Sequence, residues 1–138
     1  MENSVRIIGI ILLVLTSTYA NAGVENEIKS VILENLRATQ AEEMESALKT
    51  VHTASGGYAA TKQMLQQIFS TYDLKYTLLE YKFVGEESGY AYARIKQLTE
   101  KINGPEFRTN ELEALQVFKQ ENGVWKMWTQ ANLSITFK

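Results

Sequence analysis

The stretch NELEALQVFKQENGVWKMWTQANLSITF, residues Asn110 to Phe137, decides the fold. Its first part sets Leu112, Ala114, Gln116 and Phe118 against Glu111, Glu113 and Lys119, the period-two alternation of a half-buried strand. Glu121-Asn122-Gly123 then reads as a hairpin turn, because an Asn-Gly pair accepts the positive φ angles of a two-residue loop. After it Trp125, Met127, Thr129, Ala131, Leu133 and Ile135 recur in strict period two. The chain therefore ends in two long antiparallel strands.

Working back, YAYARIKQLTEKI places Ala91, Ala93, Ile95, Gln97 and Thr99 on one side, and Tyr92, Arg94, Lys96 and Glu100 on the other. LKYTLLEYKFV is an aromatic and apolar strand expected to end at Gly85, with GEESG as the turn. NGPEF holds the single proline, Pro105, and forms the loop between the second and third strands. Before Leu74 the period changes. Val24, Ile28, Val31, Ile32 and Leu36 recur at three- and four-residue steps, which makes an amphipathic helix. A second helix, with Met44, Ala47, Leu48 and Val51 on one stripe, is expected to start at the capping-box pair Thr39 and Glu42. A third carries Ala60, Met64, Leu65, Ile68 and Tyr72. Helices followed by antiparallel strands are the α+β pattern, here with three N-terminal helices.

The first residues belong to a different object. Arg6, the nine-residue run Ile7 to Leu15 and the small residues Ala20-Asn21-Ala22 have the layout of a secretory signal peptide. Residues 1–22 are read as that leader, cleaved after Ala22, and residues 23–138 as one domain. The nine-residue run falls short of the roughly 20 residues that a membrane-spanning helix needs. No cysteine is present, so an exported domain must stand on its core alone, and thiol chemistry is excluded. A bacterial periplasmic or secreted protein is expected, with no membrane span after cleavage. The formal charge of −2 offers no basic stripe for nucleic acid.

Helices, long strands, the segment GYAYARI (Gly89 to Ile95) and the hairpin VFKQENGVWKM (Val117 to Met127) together resemble the nuclear transport factor 2-like superfamily, including its SnoaL-like branches. The resemblance covers residues 24–137 and implies a cystatin-like cone: a strongly curved antiparallel sheet wrapped around helices, with a mouth for a small molecule. It also implies a homodimer through the outer sheet face, where Leu115, Val117 and Trp128 fall by alternation. It leaves the activity open, since this fold hosts enzymes, binding domains and assembly modules.

Candidate chemistry is sparse. His52, the one histidine, lies in TVHTASGGYAATKQM, where Gly56-Gly57 is expected to break one helix before the next by adopting angles that other residues resist. His52 or Asp73 would be the base of a cofactor-free isomerase or dehydratase. A histidine or aspartate at a helix end is more often there to close the helix. Neither fills the carboxylate and tyrosine pattern of the ketosteroid isomerases. Polar residues on otherwise apolar faces point instead to a pocket: Gln97, Thr99, Gln116 and Thr129 from the strands, with His52 and Tyr58 at the rim. Buried polar groups need partners, and a ligand can supply them. No spacing suits a metal, and no cofactor is implied. The expectation is a domain that binds a small, mainly apolar ligand or acts as a dimeric interaction module. A cofactor-free acid–base enzyme is the alternative, and a subunit of a larger envelope assembly the third. Mass spectrometry of the protein recovered from the cell envelope should find an N-terminus at Gly23; an intact Met1 there would defeat the leader reading.

Overall fold

The computed structural model describes the backbone of residues 15–138 and the side chains from residue 22 onward. Most of the expected leader, including Arg6 and nearly all of the apolar run, lies outside the described residues. Helix α1 (Leu15–Gln40) passes through the Ala20-Asn21-Ala22 junction, followed by α2 (Met44–Lys49) and α3 (Tyr58–Thr71). Four strands complete the chain: β1 (Asp73–Glu87), β2 (Tyr90–Asn103), β3 (Asn110–Glu121) and β4 (Val124–Phe137). They form one antiparallel meander in the order β1-β2-β3-β4. Among the described residues no helix is long and apolar enough to cross a membrane.

The turns show how residue choice closes the hairpins. Asn122 and Gly123 have φ of 52° and 79°, so the expected turn forms as a two-residue loop. The β1–β2 turn is tighter than GEESG suggested. The strand runs through Gly85 to Glu87, and Ser88 (φ 53°) and Gly89 (φ 81°) alone make the turn. The start of α2 also differs. Thr39 belongs to α1, and Glu42, at φ 58°, closes that helix. The Glu43 N–H donates to Ala38 O at 2.9 Å and the Glu42 N–H to Thr39 O at 3.2 Å, a Schellman ending in place of a capping box. A three-residue spacing of Thr and Glu fits either device. The preceding helix uses both residues because its stripe continues to Ala38, which is fully buried.

The sheet curves because its two edge strands carry extra residues. On β1, Leu79 lies between the pairs Leu78↔Gln97 and Glu80↔Lys96, and Val84 between Phe83↔Ala93 and Gly85↔Tyr92. On β4, Trp128 and Leu133 interrupt the ladder with β3 in the same way. Each such bulge bends its strand and increases the local twist. The concave face packs on α1, where Ile28 and Ile32 meet Ala91, Ala93, Ile95, Ala114, Phe118 and Trp125, all buried. A second cluster, Ala38, Ala47, Leu48 and Leu65, holds α2 and α3 against the end of α1.

The connection between α2 and α3 is itself bound to the sheet. The His52 N–H donates to Met127 O at 2.9 Å and the Met127 N–H to Thr50 O at 2.8 Å, a short parallel bridge along the free edge of β4. Neither Gly56 nor Gly57 takes a positive φ, so the helix break does not depend on angles reserved for glycine. The glycine with a steric task is Gly104, at φ 118°, where an added Cβ would lie 2.8 Å from Thr71 O.

Candidate functional site

Between the concave face and the helices the curvature leaves a cavity of about 470 Å³. α1 contributes Asn35, Leu36 and Thr39; the α2–α3 connection adds Val51, Ser55 and Gly57. α3 presents Thr61, Met64, Leu65 and Ile68, of which only Leu65 is buried, so this helix serves as a cover more than as a core element. The sheet supplies Tyr76, Gln97, Leu112, Gln116, Asn132 and the run Met127 to Gln130. Depressions of similar size lie on the outside. One of about 480 Å³ runs among Glu80, Lys82, Arg94, Lys96 and Glu113, where Arg94 pairs with Glu113 and Lys96 with Glu80 and Glu113.

The cavity lining carries no charge. Its one titratable side chain is Tyr76, whose hydroxyl is pushed up to about 12 by burial and stays protonated. Carboxamides dominate the polar part. Gln116 is 5% exposed. Its Nε2 donates to Gln130 Oε1 at 2.8 Å, and Gln130 Nε2 donates to Asn132 Oδ1 at 2.8 Å. Gln116 Oε1 has no partner, the one such buried side-chain atom among the described residues. On β2, Gln97 Nε2 donates to Thr99 Oγ1 at 3.2 Å. On α1, Asn35 Nδ2 donates to Thr50 Oγ1 at 2.8 Å.

Of the residues expected at a pocket, Gln97, Gln116 and Thr129 reach this wall. Thr99 is buried behind Gln97 and serves as its acceptor. Thr129 pairs across the ladder with Val117, a position of the outer face. The bulge at Trp128 shifts the alternation by one residue, so Gln130 and Asn132 take the inner positions opposite Gln116 and Ala114. Strict period two through β4 hid both. Tyr58 packs with Met44 and Phe69 on the helix cluster, and Asp73 begins β1 opposite Asn103, away from the cavity lining.

The structure places His52 behind the cavity wall, against the β3–β4 hairpin. The Ala54 N–H donates to Nδ1 at 3.1 Å, and Nε2 lies 3.3 Å from Gln120 O, the pattern of a ring with its proton on Nε2. The ring stacks edge-on against Trp128 at 4.9 Å, and Lys119 Nζ sits 4.6 Å over the far partner of that stack. Glu121 Oε2 is 3.1 Å from Nδ1. This carboxylate is held by Thr53 Oγ1 at 2.7 Å, the Thr53 N–H at 2.8 Å and Lys126 Nζ at 2.9 Å. His52 and Glu121 therefore tie the α2–α3 connection to the hairpin tip, and no side chain of the pair opens into the cavity. Trp128, expected on the outer face, bridges the two regions: it lines the cavity and also meets Tyr90.

The family model for the C-terminal domain of the anti-sigma-I factor RsgI9 matches residues 30–138. The chain belongs to that family. No curated protein sequence matches it. Among solved structures, this RsgI9 C-terminal-type domain is similar to a candidate scytalone dehydratase from Novosphingobium aromaticivorans, at a TM-score of 0.70 and 10% identity over 86% of this chain and 90% of that one. A conserved protein from Planctomyces limnophilus gives 0.69 at 17% identity, over 85% and 99%. A ketosteroid isomerase-like protein from Erwinia carotovora atroseptica gives 0.57 at 15% identity, over 78% and 94%. At these identities the likeness carries the fold: the domain has the expected nuclear transport factor 2-like, cystatin-like α+β cone.

The hairpin tie makes a pH dependence. Hydrogen bonds from Thr53 and Lys126 hold the Glu121 carboxyl down to about 2, against an ordinary value of 4.5. A depressed folded-state value means that the stability from these contacts is complete above pH 4.5 and is lost as pH falls from there towards 2. Urea midpoints measured from pH 7 to pH 2.5 should fall less steeply below 4.5 in Glu121→Gln than in wild type. The residual slope belongs to Glu34, Glu43 and Glu111, whose carboxyls are also held down by Arg37 or Lys138.

Proposed function

We propose that this protein is an exported domain that binds a small, mainly apolar, uncharged molecule in its cone. One observation carries the reading: the curved sheet and the helices leave a cavity of about 470 Å³ that is lined without a charged side chain. The family's name is that of the end domain of a regulator, and such a domain needs recognition more than turnover.

The rival reading is a cofactor-free acid–base enzyme using His52 or Asp73, and it draws on the dehydratase and isomerase likenesses. A general base must come within hydrogen-bond reach of the proton it takes. His52 Nδ1 already accepts from Ala54 and its Nε2 faces Gln120 O, while Asp73 is not part of the cavity lining. Both facts favour binding over catalysis.

A thermal-shift screen of neutral lipophilic compounds tests this. Occupancy at a hundredfold over Kd stabilises the fold by about 2.7 kcal/mol, a rise of several degrees. Thr61→Trp, which puts a ring into the cavity from α3, should abolish the rise, while the exposed control Ala59→Trp keeps it. Turnover of a hit that disappears in His52→Ala, with binding retained, would establish the enzyme instead.

The assembly proposed with it is a homodimer through the convex face. Leu115 and Val117, cross-strand neighbours of Arg94 and Tyr92, remain partly exposed there, and Trp128 extends the patch towards the β4 edge. Light scattering at micromolar concentration should return twice the chain mass, and a clean monomer would remove the interface.

A further inference from the structure

We propose that Tyr76, together with Leu36, sets the longest occupant the cone admits, by closing the cavity off from a second apolar depression on the flank of the molecule. The limit rests on the binding reading above and adds to it the length of the ligand's apolar part.

The cavity lining crosses all four strands, with Tyr76 on β1, Gln97 on β2, Leu112 on β3 and Trp128 on β4. Adjacent strands lie about 4.8 Å apart, so the lining spans roughly 14 Å across the sheet. Trp128 is the aromatic residue of one end and Tyr76 of the other. β1 is an edge strand, and between it and the end of α1 lies a depression of about 420 Å³ walled by Leu33, Ala41 and Leu78. Only Leu36 and Tyr76 line both spaces, so these two side chains are the partition between them. The partition is anchored: the Tyr76 N–H donates to Gln40 Oε1 at 3.2 Å, which ties β1 to the last residue of α1. The depression offers no unpaired charge, because Arg37, its one cation, gives its guanidinium to Glu34 and Glu43. Leu33 is half exposed there. An apolar tail long enough to pass Tyr76 would meet more apolar surface on the far side, but the side chain stands between.

Straight-chain alcohols from hexanol to dodecanol are uncharged and differ only in tail length. Each is titrated into the purified protein and followed by tryptophan fluorescence and by the Trp128 indole resonance. Each added methylene should tighten binding about fourfold while the tail still finds apolar surface. In the wild type this gain should stop near decanol, whose extended length matches the span between the two aromatic ends. Tyr76→Val removes the ring from a strand position that valine suits, and there dodecanol should bind roughly tenfold more tightly than decanol. Tyr76→Phe keeps the ring and should keep the limit. Leu36→Ala opens the partition from the helix side; it should show the same extension and replaces Tyr76→Val if that variant folds poorly. A gain that continues through dodecanol in the wild type, or an unchanged limit in the opened variant, would overturn the partition and leave the binding reading standing. No binding of any alcohol would overturn the binding reading, and this limit with it.

Discussion

The approach of α1 to the sheet sets the geometry of everything else. Ile28 and Ile32 are buried against a floor made largely of alanine, with Ala91, Ala93 and Ala114 fully buried beneath them. Small side chains there let a helix come close, and Phe118 and Trp125 fill the space that remains. Interiors tolerate neither voids nor overlap. The strands at the two edges must therefore rise around the helix, and the four bulges let them do so. Near the end of α1, at Leu36 and Thr39, the floor changes to Gln97, Gln116 and Leu112, and the packing opens into the cavity.

This division of labour explains how much was legible in the sequence. Strand existence and face were readable where alternation is unbroken: β2 carries Ala91, Ala93, Ile95 and Thr99 inward as expected, and β3 does so with Ala114, Gln116 and Phe118. Both are central strands without bulges in their mutual ladder. β1 and β4 follow the pattern only up to their extra residues. Nothing in TLLEYK or KMWTQ marks which residue will be left over, since a bulge answers to the curvature of the finished sheet and not to local composition. The helices were readable for the same reason as the central strands, and the α1 ending was misjudged because Thr39 and Glu42 fit two devices equally well.

The candidate site was half readable. Gln116 stood out because an amide between alanine and phenylalanine on a core face demands a partner. Its partner Gln130 could not be found, because a shift of one residue exchanges the faces of a strand. His52 drew attention by being the single histidine. The structure gives it a structural task, in which a ring held by the Ala54 N–H and Gln120 O helps to fasten one loop to one hairpin. Residue rarity is a sequence property, whereas chemical competence depends on what stands within three ångströms.

The bulges have one more consequence, for aggregation. A meander of four strands has two free edges, and an open edge is a template for pairing with another chain. β4 would be a dangerous one, with Leu133, Ile135 and Phe137 each about half exposed in a segment rich in β-formers. Its ladder is broken at Trp128 and Leu133, and part of its rim is already occupied by the backbone of Thr50 and His52. β1 is broken at Leu79 and Val84. The residues that bend the sheet around its cavity thus also deny an incoming strand a continuous row of hydrogen-bond partners, so that the shape needed for a concave interior protects the sheet edges from open-ended strand pairing.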